Sequence, residues 1–355
     1  MGHSPSPRPE LTGLAAYSSV AAGPVPVRIR ASSNEAPDGL HGPVLEAATA
    51  ALADAARYPL IGGADLVEVV AGSLRVAPSA VAVADGALPL LDRLLLAYLR
   101  PGDEVVMAWR SYEAYPLSVR ITGGRPVAVP LRADDTHDLD AMAAAIGPRT
   151  RIVVVCNPNN PTGTVVGWPE LLSFLDAVPP HVLVVLDEAY TEYDERERPA
   201  AAALPELAAR ANVAVLRTFS KAHGLAGLRA GHLVASDAVV RAVRAVLPPF
   251  PVSAVAAAAA MASLAHPSAL EARVAATRAE RARVTALLSG HGLAVPPSQA
   301  NFVWLPIGGD ALAFAERCRD HGLLVRPFAG EGVRITVGHP ELTAVLQEIL
   351  AAGLR

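Results

Sequence analysis

Three short apolar runs, RIVVVC (Arg151 to Cys156), VLVVLDEA (Val182 to Ala189) and VAVLRT (Val213 to Thr218), constrain this chain more than any other feature. Each is strand-length and rich in Val and Leu without polar alternation, the pattern of strands covered on both faces. Helix-compatible stretches such as WPELLSFLDAV (Trp168 to Val178) lie between them. Such alternation implies parallel strands joined by helical crossovers, hence a doubly wound α/β sheet. Ligands of these sheets sit outside the carboxyl ends of the strands. The polar stretches NPNNPTG, DEAY and SK each follow an apolar run, which places all three on one rim.

From about Pro251 the pattern changes. A long helical segment, LEARVAATRAERARVTALL (Leu270 to Leu288), precedes the strand-like pieces ANFVWLPI, LLVRPF and GVRITVG around another helix, and these form a separate, smaller α+β unit. The expected division is an N-terminal segment 1–30 associated with the small unit, a large domain 31–248 and a small C-terminal domain 249–355. One stretch, AVLPPFPVSAVAAAAAMASLA (Ala245 to Ala265), is uncharged and about as long as a membrane span. Pro248, Pro249 and Pro251 break its first half and the rest is mostly alanine, so it reads as a loop entering a buried helix.

A chain of 355 residues that is 52% apolar can bury a large core. Its net charge of -4 offers no basic footprint for nucleic acid, which favours small-molecule chemistry. Only Cys156 and Cys318 occur, far apart and without a nearby histidine pattern; neither a disulfide framework nor a metal site is expected, and a reducing cytoplasm fits. The opening MGHSPSPRPE lacks a basic segment followed by an apolar one, so no signal peptide is expected.

The stretch RTFSKAHGLAGLRAG (Arg217 to Gly231) carries the most chemistry. A lone lysine in a turn is ordinarily a solvated surface residue. Lys221, however, is flanked by the hydroxyls of Thr218 and Ser220, by Gly224 and Gly227, which permit close backbone approach, and by Arg229, which can fork onto an anion. A lysine beside an anion site suits a phosphate-bearing carbonyl cofactor that forms a Schiff base.

With these residues in view the chain resembles the fold type I pyridoxal-phosphate (PLP) aminotransferases, specifically the histidinol-phosphate aminotransferase subfamily. The resemblance runs from SSNEAP through RYP, GDEVV, CNPNNPTGT, LDEAYTEY and TFSKAHGLAGLR to ANFVWLP and GVRITVG. WRSYEAYP and PPSQANFVWLP resemble most its actinobacterial branch of aromatic or phenylalanine aminotransferases. The resemblance implies a doubly wound, mostly parallel large domain with a smaller α+β domain, and pyridoxal 5'-phosphate as cofactor. It implies ping-pong transfer of an amino group from an L-amino acid, aromatic in this branch, to a 2-oxo acid. Alternatives on the same scaffold are a histidinol-phosphate aminotransferase, a threonine-phosphate type of decarboxylase, or a cofactor binder without turnover.

The resemblance also implies roles. Lys221 forms the Schiff base and carries the proton between the substrate Cα and the cofactor. A depressed pKa, from the cationic ring and Arg229, would fit that work. Asp187, which alone would read as a helix N-cap, pairs with the pyridine nitrogen. Tyr190 and Asn160 hydrogen-bond the phenolic oxygen, although Asn160 in a run of Asn and Pro is otherwise plain turn chemistry. Thr218, Ser220, Arg229 and the backbone amides of Gly86 and Ala87 hold the phosphate at a predicted helix start. Tyr112 stacks on the ring, with Tyr115 the other candidate. Arg334, inside an otherwise apolar strand, grips the substrate carboxylate unless it serves a structural salt bridge. Asn34 and Asn301 flank the same pocket, and Arg326 binds a second anion or supports Arg334. Tyr58 of RYP reaches across a homodimer interface to the neighbour's phosphate.

Some positions depart from the family pattern. Leu88 and Pro89 in DGALPLLD stand where relatives carry a small residue and an acidic pair. Tyr17 is followed by SSVAAG rather than Pro-Gly, which weakens the histidinol-phosphate reading. His223 and His232 stand where relatives often have an aromatic, with His223 read as a packing residue.

Overall fold

A computed structural model describes residues 25–40, 42–196 and 203–351, with positions 8, 11, 14 and 20. Tyr17 lies outside the described residues. The strands are β1 (Ile29–Ala31), β2 (Val81–Ala84), β3 (Glu104–Trp109), β4 (Arg125–Pro130), β5 (Thr150–Cys156), β6 (Leu183–Asp187), β7 (Val213–Thr218), β8 (Gly231–Ala235), β9 (Phe302–Leu305), β10 (Leu323–Phe328) and β11 (Gly332–Thr336). Among the described residues they form a seven-stranded sheet of order β2-β8-β7-β6-β5-β3-β4 and a four-stranded sheet of order β1-β10-β11-β9. β8 alone runs against its neighbours in the large sheet, which is otherwise parallel.

The three apolar runs become the adjacent strands β5, β6 and β7. Their alternate side chains enter two different cores: Val153, Val155, Val184 and Val215 pack with the helices on one face, while Ile152, Val154, Val185 and Leu216 pack on the other. Burial on both faces is the physical reason their sequence shows no polar alternation. The expected crossover helix after NPNNPTG spans Trp168–Ala177, with Pro169 in its first turn, where no intrahelical N–H is lost.

The alanine-rich stretch forms the helix Ala254–Ala265, capped by Ser253 Oγ accepting from Ala256 N at 3.1 Å. It buries Ala256, Ala257, Ala259 and Ala260 in the same core as β5 to β7. By packing, this helix sits with the large sheet, although the sequence places it after the boundary at 249; alanine side chains allow close helix approach that a sequence boundary does not reveal. No helix of the described residues is long and apolar enough to cross a membrane.

The helix Pro267–Gly290 then leads to the smaller sheet. β1, from the N-terminal part of the chain, pairs in parallel with β10 there. The two sheets meet where the segment after β1 and the end of β11 face the carboxyl rim of the large sheet.

Candidate active site

The polar ends of the apolar strands converge as the topology requires. Asp187 ends β6, Thr218 ends β7, Gly86 and Ala87 follow β2, and Asn160 lies in the loop after β5. All of these but Gly86 line a cavity of about 290 Å³ whose wall includes Asn34, Ala87, Tyr112, Asn160, Asp187, Tyr190, Thr218, Ser220, Lys221, Arg229 and Arg334. Tyr115, Cys156, Leu88 and Leu91 also contribute.

At one end the helix Ala87–Tyr98 opens on Gly86, whose φ of 132° is closed to side-chain-bearing residues. A Cβ there would lie 2.7 Å from Arg229 Nη2, so glycine leaves open the space between the helix start and the guanidinium. Arg229 Nη1 donates to Ser220 Oγ at 3.3 Å, and the Ser220 amide donates to Thr218 Oγ1 at 3.1 Å. Helix-start amides, two hydroxyls and a guanidinium around one opening have the chemistry of an anion cradle. Pro89 is the third helical residue, a position whose N–H has no intrahelical partner; Leu90 N donates to Gly86 O at 3.4 Å and the first turn closes normally. Of the two glycines expected to permit close approach, Gly224 has φ 72° and sits against Arg273, whereas Gly227 faces open space. That expectation is corrected for Gly227.

At the other end, Asp187 is 8% exposed and accepts from the Tyr115 hydroxyl at 2.5 Å and from Ala189 N at 3.1 Å. Burial raises its pKa, against the lowering effect of those two donors. A buried carboxylate in this condition suits a cationic partner. Both aromatic candidates line the cavity, but the Tyr115 bond separates their engagement: Tyr115 is buried with its hydroxyl on Asp187, while Tyr112 packs edge-on against it at 5.4 Å.

Between the ends, Lys221 Nζ donates to Ser33 O at 2.9 Å. Burial lowers its pKa to about 7, with Arg334 and Arg229 adding to the effect and Glu35 and Asp187 opposing it. The low value, expected at first from a cofactor ring and Arg229, thus comes foremost from desolvation. Tyr190 accepts from Asn34 Nδ2 at 3.0 Å, and burial raises its hydroxyl pKa.

Arg334 is 5% exposed on β11. Nη1 donates to Asn160 Oδ1 at 2.6 Å and Nη2 to Ser32 O at 2.5 Å, and the guanidinium lies 5.5 Å from the Phe302 ring centre. It therefore bridges the two sheets at the pocket. Its neighbour across the ladder, Arg326, is not on the cavity wall: it donates to Glu113 Oε2 at 2.8 Å. Asn301 also stands behind the wall and donates to Asn34 O at 3.1 Å.

Tyr58 is 81% exposed, stacked on Phe250 at 4.4 Å, and does not line the cavity of its own chain. Close by in the chain, Leu60 and Ile61 are exposed as well. His223 is buried, with Nδ1 bonded to Ser263 Oγ at 2.8 Å, and both it and His232 pack against Phe219. Burial lowers their pKa values to about 4 and about 3, so both rings are neutral at physiological pH.

Sequence reasoning missed four contacts: those of the Ser32 and Ser33 carbonyls, the Tyr115 bond to Asp187, and the buried pair in which Arg217 Nη2 and Glu188 Oε2 lie 2.8 Å apart. Backbone carbonyls carry no residue signature. Arg217 and Glu188, inside otherwise apolar segments and next to Thr218 and Asp187, offered the one readable sign.

The family model for aminotransferase class I and II matches residues 29–350. The chain belongs to that family. This aminotransferase is 52% identical over 314 residues to an aromatic amino acid aminotransferase of Thermobifida fusca, covering 87% of this chain and 86% of the relative. It is 48% identical over 348 residues to an aromatic amino acid aminotransferase of Streptomyces coelicolor, covering 98% and 97%. Among solved structures, the histidinol-phosphate aminotransferase of Sinorhizobium meliloti in complex with pyridoxal-5'-phosphate superposes with a TM-score of 0.86 at 31% identity, over 92% of this chain and 91% of that one. The aspartate aminotransferase of Thermus thermophilus with maleate gives 0.79 at 27%, over 92% and 90%. The fold is the type I fold of PLP-dependent aminotransferases, as the sequence implied.

Proposed function

We propose that this aminotransferase moves the amino group of an aromatic L-amino acid to a 2-oxo acid, with pyridoxal 5'-phosphate as its resident cofactor and both half-reactions at one site. The observation that carries this reading is the convergence of Lys221, Asp187, Arg334 and the Gly86–Arg229 cradle on one cavity. The aromatic preference rests on the names of relatives about half identical to this chain. When bound, the cofactor supplies a carbonyl that takes up the amino group and a ring that acts as an electron sink.

The chain's own groups divide the remaining work. The Gly86 and Ala87 amides with Thr218, Ser220 and Arg229 would hold the phosphate. Asp187 would hold the ring nitrogen in its protonated state, held rigid itself by Tyr115. Tyr112 would cover the ring face, and Tyr190 with Asn160 would hydrogen-bond the phenolic oxygen. Arg334 binds the α-carboxylate of either substrate and so fixes Cα near Lys221. Lys221 Nζ, with a pKa of about 7, is largely neutral above that pH and able to take the Cα proton.

We further propose a cytoplasmic homodimer. The exposed Tyr58, Leu60, Ile61 and Phe250 form the apolar face that a second copy would cover, and Tyr58 would thereby reach the partner's phosphate cradle. Arg326 is proposed to brace the rim near Arg334 through Glu113 rather than to take a second anion.

A donor panel tests the reading. With phenylalanine or tyrosine as donor, the amount of 2-oxo acid formed should equal the amino acid consumed, without carbon dioxide release. Preferred turnover of histidinol phosphate, or carbon dioxide as a stoichiometric product, would overturn it.

A further inference from the structure

Directly after β1, three consecutive residues reach three functional side chains. Ser32 O accepts from Arg334 Nη2 at 2.5 Å, Ser33 O accepts from Lys221 Nζ at 2.9 Å, and Asn34 Nδ2 donates to the Tyr190 hydroxyl at 3.0 Å. Successive carbonyls of an extended segment point to opposite sides, and here they meet two different cations. Directly after them the chain turns at Asn34, whose left-handed φ of 56° is a conformation that asparagine tolerates better than most side-chain-bearing residues, and whose N–H belongs to the same peptide group as Ser33 O.

Asn34 is 1% exposed, and the protein engages it on every side. Its N–H donates to Thr336 Oγ1 at 2.9 Å, its Oδ1 accepts from that hydroxyl at 3.0 Å, and its carbonyl accepts from Asn301 Nδ2 at 3.1 Å. Thr336 ends β11 in the small sheet, whereas Tyr190 follows β6 in the large one. Asn34 therefore pins the segment after β1 to both sheets at the pocket. With its side chain committed to Tyr190 and Thr336, it is better placed to hold other groups than to bind substrate directly.

We propose that Asn34 is a positioning residue that fixes the Ser33 carbonyl as the acceptor orienting the Lys221 amine whenever that amine is not bonded to the cofactor; this rests on the function proposed above. One N–H of Nζ is held on Ser33 O, which restricts rotation about the Cε–Nζ bond and directs the lone pair. When the substrate Cα–H bond breaks, the electron pair stays with the carbon and the proton goes to Nζ. The resulting ammonium keeps its bond to Ser33 O, now charge-assisted and stronger than before. The acceptor thus stabilises the lysine more as the proton arrives than in the resting amine, which is the condition for accelerating the step.

The test uses Asn34→Ala, Asn34→Gly and Thr336→Val, with two readouts. In the cofactor-free chain, Lys221 is acetylated with the N-hydroxysuccinimide ester of acetic acid across a pH series and followed by peptide mass spectrometry. Losing an acceptor that favours the ammonium frees the amine, so acetylation near about pH 6 should quicken ~3- to 10-fold in Asn34→Ala and Thr336→Val. Asn34→Gly keeps access to the left-handed backbone and should fall between. In the loaded enzyme, kcat should drop about 10- to 100-fold with donor KM within about twofold, and the isotope effect with an α-deuterated donor should rise. An unchanged acetylation profile in all three variants overturns the proposal. So does a rise in donor KM at constant kcat and isotope effect, which would make Asn34 a substrate-binding group. The acetylation readout needs no donor, so failure of the wild type to transaminate would overturn the proposed function and leave this inference to be decided by labelling. If Asn34→Ala does not fold, Thr336→Val carries the same expectation.

Discussion

Replacing Arg334 by leucine removes the group proposed to grip every substrate, and the structure sets the size of the effect. A charge-assisted hydrogen bond is worth about 1.5–3 kcal/mol, and a guanidinium fork makes two of them to a carboxylate, so roughly 3–6 kcal/mol is at stake. That corresponds to a loss of ~10²- to 10⁴-fold in kcat/KM. The loss should be nearly the same for phenylalanine, tyrosine and other α-amino acids, because the deleted interaction touches only their shared carboxylate. A second consequence follows from the resting contacts. Asn160 Oδ1 and Ser32 O lose their donor, and an acceptor left unsatisfied costs about 1–3 kcal/mol when fully buried, less for the partly exposed Ser32. The variant should therefore unfold at lower urea, by roughly 2 kcal/mol, while keeping its circular dichroism spectrum. Steady-state kinetics over a panel of donors, with an aromatic amine lacking the carboxylate as control, decide the matter. Losses that differ strongly between donors, or an equal loss with the control amine, would refute the carboxylate role.

Cofactor uptake by the cofactor-free chain should quicken as pH rises through about 7, because Lys221 has its pKa lowered to about 7 and only the neutral amine is nucleophilic. The sign for stability is opposite in use: a lysine whose folded pKa is depressed loses folding stability as pH falls from its unfolded value toward 7, so Lys221→Met should raise the melting temperature of the cofactor-free chain at neutral pH while abolishing turnover. Asp187→Asn should likewise stabilise the cofactor-free chain increasingly as pH rises above the ordinary aspartate range, since the folded carboxylate has its pKa raised by burial, yet weaken cofactor retention in equilibrium dialysis. Mixing Tyr58→Phe chains with Lys221→Ala chains should restore wild-type cofactor affinity at the intact-lysine site if Tyr58 serves the partner's cradle; affinity that stays at the Tyr58→Phe level would keep the tyrosine within its own chain.

Much of this architecture is legible in one dimension because burial leaves a local imprint. β5, β6 and β7 are buried on both faces and so read as unbroken Val and Leu runs, and the polar residues that follow each run fall on one rim by topology alone. Lys221 and Arg229 could be picked out from their setting among small residues and hydroxyls, whereas Asp187 alone reads as a helix N-cap and took its role from the resemblance. Composition pointed toward small-molecule chemistry, since a net charge of -4 without basic clusters carries no nucleic-acid footprint.

Tertiary structure alone decided everything that depends on orientation and on backbone atoms. Tyr112 and Tyr115 are indistinguishable in WRSYEAYP, and both reach the cavity wall, yet only Tyr115 turns its hydroxyl to Asp187. Arg326 and Arg334 are both arginines in apolar strands, but only Arg334 lines the cavity, because Glu113 draws Arg326 to the rim. The helix after Pro251 joins the large sheet's core because alanine faces pack closely, a property set by shape rather than by hydropathy. Ser32 and Ser33 act through carbonyls that every residue possesses, and only the packing of their segment, pinned at Asn34 by Thr336, Tyr190 and Asn301, makes them particular acceptors for Arg334 and Lys221. A sequence specifies which side chains exist and how apolar their surroundings are. Which atom faces which, across two sheets joined by residues hundreds of positions apart, is set by the packing of the whole chain.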